Sequence, residues 1–201
     1  MRIRLGLICA FIVAILSSAA AQTDYAQPLR KEHWSGGFFV GGGTGLGDRT
    51  NVEMFRAGGR IGRVMTGEIG GGKFRHTFAL QSEWAPVDYT FWGGYKNVYG
   101  WSMAPIILTW NFVGERPRRV VPFAEAYGGV LFSKDEIPPG DTSKVNFTPG
   151  AGFGLHVFTR ERQAMTFHLR AVHISNASLG DHNPGVNASM QFAVGYTWWK
   201  K

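Results

Sequence analysis

Thiol chemistry is almost absent: the 201-residue chain has a single cysteine, Cys9. It lies inside an apolar run, Leu5 to Leu16, that follows the charged pair Arg2 and Arg4. Small residues come next, and Ala19-x-Ala21 fits a signal-peptidase site ahead of Gln22. The run is shorter than the roughly 20 apolar residues a spanning helix needs, so residues 1–21 read as a cleaved signal peptide. Cys9 follows Ile8 rather than a small residue, which argues against a lipoprotein. Cleavage would remove the only cysteine and leave a chain with no disulfide, thiol nucleophile or thiolate metal site. An exported domain of residues 22–201 without cross-links needs another stabiliser, and a barrel closed on itself in lipid is one.

Other absences narrow the function. No second apolar stretch is long enough for a transmembrane helix, and no 3.6-residue periodicity persists. The formal charge is +7, and losing the two signal arginines leaves 19 basic against 14 acidic residues, or +5. That excess is spread over short connections such as GERPRR and TRERQ, the chain ends and alternate strand positions, so nucleic acid is not the expected partner. The longer connections carry Asp48, Asp88, Asp135, Glu136, Asp141 and Asp181. Six histidines raise the question of metal, yet no pair sits with carboxylates at ligand spacing. GGGTGLG at 41–47 resembles a phosphate loop but lacks a following helix pattern and Lys-Ser/Thr, so it reads as a glycine-rich strand end. No cofactor is expected.

What the chain has is glycine (28 residues), aromatics (14%) and alternation. Eight segments alternate with period two, at about 34–46, 53–66, 74–85, 100–113, 119–133, 145–159, 164–176 and 188–199. In the last, Met190, Phe192, Val194, Tyr196 and Trp198 share one face. Bulky charge occupies the other face of several segments: Arg56, Arg60, Arg75, Glu83, Glu125, His156, His168 and Arg170. Charge paired in a narrow lumen with Phe, Leu and Trp facing lipid is the transmembrane barrel arrangement. The expected fold is therefore all-β, an eight-stranded antiparallel outer-membrane barrel, with a soluble lipocalin-like barrel as the alternative. Connections two, four and six are expected to be short, and three, five and seven long. Trp34, Trp84, Trp110, Trp198 and Trp199 are expected in interfacial girdles.

Chemistry concentrates in HISNASLGDHNPGVN, residues 173–187. His173 and Ser175 are two apart, so on a strand they leave the same face, the one shared with Ala171, Leu169 and Phe167. That is the lipid-facing side, near the external end of the strand. A base beside a hydroxyl activates serine, which alone is a poor nucleophile near neutral pH. Asn176 adjoins the nucleophile and could donate to an oxyanion.

This segment resembles the signature of the lipid A 3-O-deacylases, outer-membrane barrels that remove an acyl chain from lipopolysaccharide. The resemblance makes His173 the base and Ser175 the nucleophile. It makes Asn183, ahead of Pro184 and Gly185, the principal oxyanion donor. It puts Asn187 where the family has a glutamate that orients the histidine. Asn187 can fix the imidazole tautomer but brings no charge to offset the imidazolium. Asp181, in the same connection, is an alternative orienter. The implied partner is lipid A of the outer leaflet, its acyl ester the bond cut. The alternative is a non-catalytic barrel with a structural, adhesion or host-interaction role.

Overall fold

A computed structural model describes residues 25, 27–30, 33–94, 96–139, 142–180, 182, 183 and 186–201, with Asn187 described by its backbone alone. The signal-peptide reading, Asp181, Pro184 and Gly185 lie outside the described residues. Among the described residues nine strands form: β1 Trp34–Gly45, β2 Val52–Val64, β3 Thr77–Trp92, β4 Val98–Asn111, β5 Val120–Ser133, β6 Val145–Phe147, β7 Gly150–Arg160, β8 Gln163–Ile174 and β9 Val186–Lys200. Each pairs antiparallel with its neighbours; β1 joins β9, and β4 joins β5. β6 and β7 both lie on β5, so they are two parts of one staggered wall, interrupted at Thr148-Pro149. The result is a closed eight-stranded antiparallel barrel, as the alternation implied. Closure pairs the wall on both sides, with β6 meeting the β8 side through the single bridge Phe147–Ser175.

Alternation explains the layering. Along β8, Ala164, Thr166, His168, Arg170, Val172 and Ile174 are buried in the lumen, while the intervening residues face out. Exposed Phe38, Ile61, Phe153 and Phe192 continue the apolar exterior on other strands. The lumen holds three tiers. An apolar plug of Leu29, Val113, Val121, Phe158, Ala164 and Trp199 fills the end where β1 starts and β9 finishes. A second, including Val52, Trp92, Leu131, Val172, Ile174 and Val186, fills the opposite end.

Between them lies an ion-pair network. Arg170 grips Glu83 with both terminal nitrogens, at 3.0 and 2.8 Å, and donates Nε to Glu125 at 2.7 Å. Arg60 and His168 also meet Glu125, and Arg56 meets Asp88 at 2.9 Å. Pairing of this kind offsets the cost of holding charge away from water. Gly154 makes room for the ring of Phe123, which packs against His156 and His168.

Four expectations need correcting. Arg75 is not in the lumen: it lies outside the strands, paired with Glu68 at 2.9 Å and Glu115 at 3.2 Å. The connection it occupies, expected to be short, spans residues 65–76, because Gly70 and Gly72 at positive φ fold the chain back through the bridge Ile69–His76. Connection three shrinks to residues 93–97, since β3 continues past Pro86. The register slips there against both neighbours, and such a bulge tolerates a residue with no N–H. Among the tryptophans, Trp34 and Trp198 face outward near one rim, but Trp199 is only 4% exposed and packs on His156 and Phe158 in the terminal plug. Trp198 points out, so its neighbour on the strand must point in. Trp84 faces out from the middle of β3, within the apolar band rather than at a rim.

Candidate active site

The strand order puts the end of β8 and the start of β9 at the end of the barrel opposite the start of β1. β8 carries His173 on its outer face, exposed, one residue before the strand ends. Ser175 extends that line and is half-buried. Its N–H donates to the Phe147 carbonyl at 3.1 Å, and its own carbonyl accepts from the Phe147 N–H at 2.7 Å. The His173 N–H donates to the Pro149 carbonyl at 3.0 Å. Both backbone positions are therefore fastened to the interrupted wall of β6 and β7. Pro149, whose ring fixes φ, and Phe147 are supports that reading the sequence missed, because a pairing across more than twenty residues leaves no local signal.

On the other side of β8 the ladder slips. Val172 pairs with Ser189, but Ile174 pairs with Val186, so His173 alone stands opposite Asn187 and Ala188. This is a β-bulge on β9, the device by which a sheet re-aims a side chain at a functional rim. Its consequence is specific. Without the extra residue, Asn187 would stand opposite Ile174, whose side chain points into the lumen. With it, the backbone of Asn187 comes level with His173.

The loop that follows Ser175 is organised by Asn176, which is 2% exposed. Its Oδ1 accepts from the Ser178 N–H at 2.9 Å, and its Nδ2 donates to the His182 carbonyl at 2.8 Å. Its carbonyl accepts from the Leu179 N–H at 3.0 Å. The resulting tight turn holds Ala177 and Ser178 at φ 51° and 63°, a region costly for residues with a Cβ. The Asn176 N–H in turn donates to Oδ1 of exposed Asn183 at 3.1 Å. With Oδ1 so engaged, what Asn183 has left to offer a ligand is its amide N–H pair. Connection five packs beneath: a Cβ on Gly180 would meet the Thr142 carbonyl at 2.2 Å, so only glycine lets the two loops come this close.

Ser175, Asn176 and Asn183 are thus joined through one backbone step and one hydrogen bond, and His173 stands opposite the Asn187 backbone at the bulge. Phe147, Leu179 and Met190, exposed around this rim, give it an apolar surround. Among the described residues no group of three His, Cys, Asp or Glu side chains is placed to hold a metal ion.

A family model described as lipid A 3-O-deacylase (PagL) matches residues 70–197, well over half of the chain and including the whole of this rim. Among solved structures, the outer membrane enzyme PagL is 20% identical, with a TM-score of 0.55 over 81% of this chain and 98% of that one. The outer membrane protein OprG of Pseudomonas aeruginosa is 8% identical, with a TM-score of 0.51 over 85% and 97%. Neisserial surface protein A is 11% identical, with a TM-score of 0.50 over 83% and 96%. At these identities the three structures establish the fold alone. No curated protein sequence matches the chain.

Proposed function

The chain belongs to the lipid A 3-O-deacylase (PagL) family, and from that premise we propose that it is an outer-membrane serine esterase acting on an acyl ester of lipid A. Ser175 is the nucleophile. His173 takes its proton as Oγ attacks the ester carbonyl, and the carbonyl oxygen becomes an oxyanion. The free N–H pair of Asn183 donates to that oxygen. Collapse expels the sugar alkoxide, which recovers a proton from His173. Water, activated by the same imidazole, then releases the fatty acid from Ser175.

Asn187 orients the imidazole as a neutral acceptor. Asn176, whose amide is committed to the loop, serves as the clamp that sets Asn183 rather than as an oxyanion donor. The observation that carries this reading is the bulge that brings the backbone of Asn187 level with His173 on the lipid-facing rim. A substrate lying in the outer leaflet reaches such a rim from the side.

Asn187 in the glutamate position favours one second reading, a barrel of the same family that has lost turnover. Purified, refolded protein incubated with lipid A and analysed by mass spectrometry separates the two. Loss of one acyl chain supports the esterase, and unchanged lipid A from a fully folded preparation rejects it.

A further inference from the structure

At the rim opposite the candidate active site, cations on neighbouring strands flank an aromatic. Trp34 on β1 pairs with Arg63 on β2 and with Lys200 on β9, so the three stand side by side on the outer face. All three are exposed, and the Arg63 guanidinium lies 5.5 Å from the Trp34 ring centroid. The β8 turn adds Arg162, whose carbonyl accepts the N–H of Trp199, next to Lys200. At strand spacings of about 4.8 Å the row spans some 15 Å of rim.

Apolar surface begins immediately on the membrane side. Phe38 is 61% exposed, and the Trp198 ring lies across Gly36, where a Cβ would meet its Nε1 at 3.0 Å. At the other end of the barrel charge is matched differently, as in the exposed pair of Lys96 and Asp135 at 2.9 Å.

We propose that the row formed by Arg63, Trp34, Lys200 and Arg162 binds the headgroup of an anionic glycerophospholipid in the leaflet opposite the esterase site. The phosphate diester sits between Arg63 and Lys200, and the glycerol and acyl chains lie along Trp198 and Phe38. Tryptophan belongs at that depth because its ring is apolar and its N–H is wet. Basic side chains beside an anionic leaflet each contribute roughly a five-fold preference for it. The inference rests on reading the barrel as membrane-embedded with residues 173–187 in the outer leaflet, and not on catalysis.

The test is native mass spectrometry of the detergent-folded full chain with phosphatidylglycerol or phosphatidylcholine of identical acyl chains. Folding is verified first by heat-modifiable gel migration. Wild type should retain phosphatidylglycerol in preference. Arg63→Gln/Lys200→Gln should weaken that retention by about 25-fold. Arg162→Gln/Lys200→Gln, confined to a turn and the chain end, should weaken it similarly, while Lys134→Gln/Lys144→Gln at the other rim should not. Equal retention of the two lipids, or undiminished phosphatidylglycerol on either rim variant, overturns the proposal. A wild-type chain with no heat-modifiable form overturns the membrane reading and the proposal with it, whereas a folded barrel inactive on lipid A leaves the lipid site standing.

Discussion

Replacing Arg170 by methionine probes whether the lumen network supports the fold. Arg170 is 4% exposed and donates three hydrogen bonds, two to Glu83 and one to Glu125. Methionine fills much of the volume but takes from Glu83 its principal cation and from Glu125 one of its two arginines. Breaking a buried ion pair from one side costs about 3–5 kcal/mol. Glu83 keeps Arg56 at 3.4 Å, and Glu125 keeps Arg60 and His168. The expected loss is therefore at the lower end, about 3 kcal/mol.

Urea unfolding of the barrel in detergent micelles, followed by tryptophan fluorescence and by heat-modifiable migration, measures it. Glu83→Gln in the same background should restore part of the loss, with a coupling of about 1–3 kcal/mol. Deacylation by the folded fraction should be unchanged, since Arg170 faces the lumen and His173 faces out. A loss under about 1 kcal/mol, or strict additivity with Glu83→Gln, would refute the view that these pairs are the structural centre of the lumen.

Three further perturbations address the site and the packing. Asn187→Glu should raise turnover, by less than the roughly 10⁴-fold lost elsewhere when a charged orienter is removed. Asp181→Ala is the control, and its abolishing activity while Asn187→Ala does not would transfer the orienting role to Asp181. Asn183→Ala should lower kcat by about 10²–10³ with the unfolding midpoint unchanged, and a KM effect alone would remove it from the oxyanion site. Gly154→Ala should destabilise by about 1–3 kcal/mol, because its Cβ would meet the Phe167 carbonyl at 2.0 Å and the Phe123 ring at 2.3 Å; an unshifted unfolding curve would contradict that packing.

The sequence made strand number, lumen face and rim legible because period-two alternation is a local property, as along Ala164 to Ile174. Arg75 was misplaced for the same reason. It continues the alternation of its segment, but Gly70 and Gly72 upstream turn the chain before the strand begins. The third segment was drawn to end at residue 85, whereas β3 bulges against both β2 and β4 and so runs on past Pro86.

At the candidate site, spacing alone made the shared outward face of His173 and Ser175 legible, and their proposed roles came with the family motif. Asn183 and Asn187 came from resemblance to a family motif. Nothing in the sequence could give the bulge that sets Asn187 against His173, because it depends on the register of two strands joined by a loop. The commitment of the Asn176 amide to Ser178 and His182 was likewise invisible before the loop was folded.

Covalent labelling tests the central claim most directly. The refolded barrel is treated with a long-chain alkyl fluorophosphonate, which phosphonylates activated serines, and its peptides are analysed by mass spectrometry. One adduct is expected, on Ser175, with labelling and lipid A deacylation lost together in Ser175→Ala and in His173→Asn while heat-modifiable migration persists. Deacylation by a folded Ser175→Ala protein, or an adduct on any other residue that tracks activity, would contradict it.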